Sequence, residues 1–248
     1  MMRRYGFLLL MALFLASCAA SSKTEKQNKP LTAEDHFQLA FSAAERGNLE
    51  EAILEYKKVL EMDPKNAAAR LNLGTAYGRR GELKKEISEY KKALDMNPGW
   101  AQAYFNLGVA YYERGDLDEA TQYFEKALES DPHLIEARSN LGNIHFRREE
   151  LEEAILEYQR TVEMKPDYAR GYFNIGSVYV HQENIEDAIA SFQRALEINP
   201  KYAQAHYYLA WIYYQKQEYK LAIQHADLAG KLGMVPDPAF LDQLKPYR

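Results

Sequence analysis

Five prolines set the frame of this chain. Pro64, Pro98, Pro132, Pro166 and Pro200 stand 34 residues apart, and each follows an Asp, Asn or Lys that closes a helical pattern. Proline has no N–H to donate and stops a helix, so it marks the same point in every unit. Other slots keep the same step. Ala40, Gly74, Gly108, Gly142, Gly176 and Ala210 share one, and Ala52, Ala120, Ala154, Ala188 and Ala222 share another. Tyr56, Tyr90, Phe124, Tyr158 and Phe192 share a third, and Tyr77, Tyr111, Tyr179 and Tyr213 a fourth. A fixed period of this length is the mark of a repeat architecture.

One unit, Ala101 to Leu134, shows what is repeated. It holds two amphipathic helical patterns joined by Gly115-Asp116 and closes on Asp131-Pro132. Tyr104, Leu107, Gly108 and Tyr111 share one face of the first helix, and Leu117, Ala120, Phe124, Ala127 and Leu128 one face of the second. Gly108 and Ala120 are small where the helices come close, with Tyr111 and Phe124 to fill the space beside them. One such pair cannot bury its own apolar faces. Stacked pairs bury a continuous core, each touching its neighbours.

This pattern resembles the tetratricopeptide repeat family. The family signature stands here as Leu107-Gly108, Tyr111, Ala120, Phe124, Ala127 and Pro132. The resemblance implies an all-α, right-handed superhelical solenoid of six helix pairs, at 33–66, 67–100, 101–134, 135–168, 169–202 and 203–236. A C-terminal cap follows at 237–248, with Pro238 to Leu244 as a short helix whose Phe240, Leu241 and Leu244 cover the last apolar face. Some residues depart from the pattern. Glu86 takes the small slot of repeat two, His145 the tyrosine slot of repeat four, Ala43 that of repeat one, and Ala226 the aromatic slot of repeat six.

The family likeness also implies a site. The first helix of each pair lines a concave groove that takes a peptide or partner protein. Asn72, Asn106, Asn140 and Asn174 hold one inward slot. An amide both donates and accepts, so a row of them suits an extended peptide backbone of any sequence. The row resembles the asparagine ladder in the repeat domain of O-linked N-acetylglucosamine transferase. Phe105, Tyr112, Phe146, Phe173, Tyr207, Trp211 and Tyr214 hold other groove slots, where aromatics offer contact area at small entropic cost. Arg79, Glu113, Arg147 and His181 fill a further slot with mixed signs, which predicts local salt bridges. The carboxylate clamp of chaperone-binding members is not matched, since Leu71, Thr75, Phe105 and Ser139 stand at its positions.

The N-terminus reads as an export signal. Arg3-Arg4 precede an apolar run from Phe7 to Leu15, shorter than the ~20 residues of a membrane span. Leu15-Ala16-Ser17-Cys18 resembles the bacterial lipobox, in which the cysteine is acylated after cleavage before it. This divides the chain into a signal peptide, 1–17, and a lipidated Cys18 with a polar tether, 18–32. Ala19 resembles the residues that permit sorting to the outer membrane, which in a two-membrane bacterium places the protein on its periplasmic face.

Net charge is -5, with a pI near 5.8 and no basic stripe. That argues against a nucleic-acid partner. Arg79-Arg80, Lys91-Lys92 and Arg147-Arg148 read as solvated helix faces. There is no G-x-S-x-G, phosphate-binding glycine loop or H-E-x-x-H, and none of the six histidines lies three or four residues from another. Carboxylates are expected at helix starts and on outward faces. No metal, cofactor or catalytic residue is assigned. The sequence therefore reads as a non-enzymatic, lipid-anchored scaffold for an envelope complex, such as pilus, secretin or cell-wall machinery. The alternatives are a self-assembling structural protein and a small envelope enzyme.

Overall fold

The computed structural model describes residues 30–234 and 237–248, so Cys18 and the leader before it lie outside the described residues. Among the described residues there are thirteen α-helices, a closing 3-10 turn and no strand. They fall into two compact units divided after Met96. The first holds α1 (Ala33–Glu45), α2 (Leu49–Met62), α3 (Ala67–Arg79) and α4 (Leu83–Met96). The second holds α5 (Ala101–Arg114), α6 (Leu117–Ser130), α7 (Ile135–Arg147), α8 (Leu151–Met164), α9 (Ala169–His181) and α10 (Ile185–Ile198). It continues with α11 (Ala203–Gln215), α12 (Tyr219–Lys231), α13 (Pro238–Leu244) and the turn Lys245–Tyr247. Within each unit, helices packed as pairs stack on the next pair. No helix among them is long and apolar enough to cross a membrane.

Local chemistry sets the ends. Thr32 and Asp35 form a reciprocal capping box at the start of α1, and the side chains of Asn48 and Asn66 cap α2 and α3. Asp63, Asp131, Lys165 and Asn199 end their helices with φ of -131°, -140°, -136° and -129°. Each precedes a proline, whose ring drives the residue before it out of the helical region. Inside each pair the chain turns through a left-handed residue. Gly47, Gly81 and Gly115 fill that slot with φ of 77°, 76° and 90°, and Glu149, Glu183 and Gln217 fill it with φ of 61°, 60° and 62°.

The core forms where the small slot meets the aromatic slot. A Cβ built on Gly108 falls 2.6 Å from the ring of Phe124, and one on Gly142 or Gly176 meets Tyr158 at 2.6 Å or Phe192 at 2.7 Å. The aromatic ring therefore sits directly on the backbone of the partner helix. Glu86, large in a small slot, is accommodated by a compensating change. Gly78 stands where other repeats carry Tyr112 or Phe146, and a Cβ there would lie 2.4 Å from the Glu86 carboxylate. At the C-terminus Asp237 caps α13, Phe240 and Leu244 are buried in the last core cluster, and Leu241 packs against it.

The expected placement of carboxylates needs correction. Glu55, Glu86 and Glu89 are buried and Glu157 is half-buried. Three of them belong to a clasp, formed 19 residues apart between the two helices of a pair. His36 meets Glu55, and Arg70 and Arg138 reach Glu89 and Glu157, each at 3.1 Å. In the third repeat the same slots carry Tyr104 and Tyr123, stacked at 6.4 Å, and in the sixth His206 and His225, with Nδ1 atoms 2.9 Å apart. The first-helix residue also reaches back to the preceding loop. Arg70, Arg138 and His206 bond the carbonyls of Pro64, Pro132 and Pro200 at 3.1, 3.5 and 3.1 Å. Lys58, Lys92 and Arg160 add an ion pair to each acid at 2.7, 2.6 and 2.8 Å. Burial pushes the Glu55 carboxyl up, but the hydrogen bonds from Lys58 and His36 outweigh it and hold it below its ordinary value. Ion-pair geometry, not helix-dipole placement, explains these acids.

Candidate peptide-binding groove

The four asparagines of the row are half-buried, one in each of α3, α5, α7 and α9. Their amides differ in what they bond. Asn106 Oδ1 accepts from Gln102 Nε2 at 2.8 Å within α5. Asn140 Oδ1 accepts from Asn143 Nδ2 at 3.2 Å, and Asn143 Oδ1 accepts from the Tyr158 hydroxyl at 2.7 Å. Asn143 is a member of this network that the row alone did not reveal. In α9 its place is taken by Ser177, whose hydroxyl donates to the Phe173 carbonyl at 3.0 Å. Asn174 is thereby left without that neighbour. Its Nδ2 is buried and has no hydrogen-bond partner. A buried unpaired donor costs roughly 1–3 kcal/mol, which an arriving acceptor would recover.

Asn174 lines a cavity of about 340 Å³ within the second unit. Phe146, Phe173, Val180 and Tyr208 supply apolar walls, with His181 at the site. Phe146 meets the His181 ring edge-on at 5.4 Å, and Phe173 is held by Phe192, Tyr202 and Tyr208 at 5.6, 5.0 and 5.6 Å. These contacts fix the walls before any ligand arrives. Burial pushes the Tyr158 hydroxyl well above its ordinary value, so it remains a neutral donor to Asn143. The arrangement offers one free N–H beside an apolar hollow. That matches a backbone carbonyl flanked by an apolar side chain.

Of the groove residues expected from sequence, the cavity gathers Phe146, Phe173 and Asn174. The others lie elsewhere. Phe105 is half-buried against Phe124 at 5.8 Å, and Tyr112 lies under the Arg147 guanidinium at 5.0 Å. Tyr207 and Tyr214 pack on Phe240 of the final helix at 6.0 and 5.7 Å. Trp211 is 40% exposed. In the first unit Asn72 lines a separate hollow of about 90 Å³ with Phe41, Thr75 and Arg79. The salt bridges expected in the slot of Arg79, Glu113, Arg147 and His181 do not form among the described residues. Arg79 instead donates to the Ala44 carbonyl at 2.7 Å, and Arg147 stacks on its tyrosine. His145 pairs with Glu150 at 2.6 Å, away from His181. Among the described residues no group of three or more His, Cys, Asp or Glu is placed to hold a metal.

Family models agree with the repeated geometry. Tetratricopeptide repeat models match residues 67–99, 101–134 and 173–232, and a TPR repeat model matches 43–81 and 142–183. The chain belongs to the tetratricopeptide repeat family. A crystal structure of MamA is 30% identical to this TPR chain, covering 67% of it and 97% of its own length with a TM-score of 0.61. YrrB, a TPR protein with an unusual peptide-binding site, is 25% identical and covers 77% of this chain and 97% of its own, with a TM-score of 0.59. Pseudomonas aeruginosa pilF covers 87% of this chain and 97% of its own at a TM-score of 0.73, but its 19% identity makes that a likeness of fold alone. No curated protein matches the chain.

Proposed function

We propose that this protein is a non-enzymatic scaffold that binds an extended peptide segment of a partner protein at the α7–α9–α11 cavity. The observation that carries the reading is Asn174, whose buried Nδ2 has no partner and lines an apolar hollow. The partner supplies a backbone carbonyl to that N–H and an uncharged apolar side chain to the walls formed by Phe146, Phe173 and Val180. The family and the peptide-binding site of YrrB support a protein-interaction role. We further propose that Cys18 carries a lipid and that the scaffold serves assembly of an envelope complex, from the periplasmic face of the outer membrane in a two-membrane bacterium. That reading is supported by Leu15-Ala16-Ser17-Cys18 and the apolar run before it.

The test selects peptides from a random library on the full chain and measures their affinity for the Asn174→Leu variant. Leucine keeps the volume and removes the donor. One lost hydrogen bond predicts about tenfold weaker binding. The same change removes an unsatisfied donor, so the free variant is expected to unfold at higher urea than the wild type. Failure to select any peptide, or equal affinity for the variant, overturns the assignment.

A further inference from the structure

Histidine takes the first-helix clasp slot only in the two end repeats. His36 and His206 stand where the interior copies carry Arg70, Tyr104, Arg138 and Tyr172. The two histidines face opposite kinds of partner. His36 meets the Glu55 carboxylate, so a proton on its ring strengthens that clasp. His206 meets a second imidazole, that of His225 in α12.

Hydrogen-bond accounting fixes the protons of this second pair. The Pro200 carbonyl only accepts, so His206 carries its proton on Nε2, 3.1 Å from that oxygen. Its Nδ1 is then a bare lone pair. His225 supplies the proton between the rings from its own Nδ1, across 2.9 Å. A first extra proton is absorbed: it goes to His206 Nδ1, and His225, with its own proton moved to Nε2, accepts from it, so the rings stay bonded. A second proton puts an N–H on both Nδ1 atoms, facing each other, and adds a second cation in a partly buried site. Burial, and then the charge of His206, hold His225 down at about 4.

No carboxylate rescues that cation. Tyr213 of α11, whose ring is 5.5 Å from that of His225, is neutral and accepts from Gln193 of α10. Acids on the surrounding helices have partners of their own: Glu197 of α10 with Arg194, Asp227 of α12 with Arg248, and Asp242 of α13 with Lys245, at 2.6, 2.6 and 2.7 Å. None of these forms a hydrogen bond or ion pair with either imidazole. The helix that carries His225 is also lightly anchored. Ala226 replaces the aromatic that Phe124, Tyr158 and Phe192 supply in other copies, and Gly230 replaces Leu128, Val162 and Leu196. With less apolar area buried, more of the hold on α12 rests on the clasp.

We propose that the His206–His225 pair is an acid-operated latch, which ties α12 to α11 and the Pro200 loop at neutral pH and releases α12 with the cap helix when both rings are protonated. Release uncovers the α11 face that carries Ala210 and Tyr213, both buried in the closed state. The inference is independent of the peptide cavity.

Hydrogen exchange of the full chain, read by mass spectrometry at pH 7.5 and 4.5 with times scaled for intrinsic exchange, tests it. Protection of amides in 219–231 is expected to fall about tenfold or more at the lower pH, while that of 169–198 holds. In His225→Asn the side-chain Nδ2 stands near the former Nδ1 and still donates to His206, yet it takes no proton. Its α12 protection is expected to stay level across the same range. Equal losses in wild type and variant, or no loss in wild type, overturn the latch. Should the variant not fold, an NMR titration of the wild-type His225 ring decides: a midpoint below about 5 supports the latch, and any higher one, toward the ordinary histidine value of ~6.5, overturns it.

Discussion

Glu149, Glu183 and Gln217 sit in a backbone conformation that the first three copies give to glycine. An L-residue there carries a Cβ too close to the following carbonyl, at about 1–2 kcal/mol. Glycine removes that strain but brings a more disordered unfolded chain, which returns roughly 0.5–1 kcal/mol of it. Glu149 is exposed and its side chain makes no hydrogen bond or ion pair among the described residues, while its backbone N–H donates to Phe146, a bond that glycine keeps, so the exchange has little else to lose. Glu149→Gly is therefore expected to raise the urea midpoint, with a gain of about 0.5–1 kcal/mol, and Gly115→Glu to lower it. A midpoint in Glu149→Gly at or below that of the wild type would sink this account. The same accounting keeps Gly108 as glycine, because there the obstacle is the Phe124 ring and not the backbone.

Helix pairs are held by two devices, a ring seated on a small residue and a polar clasp 19 residues across. They differ in how well the sequence announces them. The ring and its seat were legible at once, because Gly108, Gly142 and Gly176 recur in register with Phe124, Tyr158 and Phe192 and apolar periodicity is the strongest sequence signal. The clasp was not, because its slots change chemistry from Arg–Glu to Tyr–Tyr to His–His and no single residue type repeats. Asn174 was legible as a slot, but that its Nδ2 is buried without an acceptor depends on the packing around it and on no repeated residue type. Interchangeable clasp chemistry makes an element-scale prediction. Arg138→Tyr alone strands Glu157 with Arg160 as its remaining partner, and is expected to cost about 2 kcal/mol. Adding Glu157→Tyr removes the stranded acid and rebuilds the tyrosine pair of the third repeat, so most of the loss should return. A double-mutant cycle on urea midpoints reads the coupling, and strictly additive losses would show that the slots do not act as a unit.

At the scale of the whole molecule, the first and last helices of the described repeats differ in the faces they present. Asp35 and Ser42 of α1 stand where later first helices carry Ala69 and Ala76, Ala103 and Ala110, or Ala137 and Ile144, and both are exposed. At the other end Phe240 and Leu244 of α13 close the last core. The first helix also leaves Leu39 41% and Phe41 49% exposed, so its outward face is mixed, whereas the last core is closed by its cap. The proposed membrane attachment is a question about the chain's N-terminus. Net charge of -5 gives no broad electrostatic attraction to an anionic lipid surface, and none of the described helices can span a bilayer. Acyl chains on Cys18 would supply the hold without either, at about 0.8 kcal/mol for each buried methylene. The 15 residues from Cys18 to Ala33 limit the separation of anchor and first helix to at most about 50 Å. Cys18→Ser changes no residue of the described helices, so the variant should fold as the wild type does and move from the membrane fraction to the soluble one. A variant that stays with membranes through a high-salt wash would place the attachment elsewhere and remove Cys18 from the proposal.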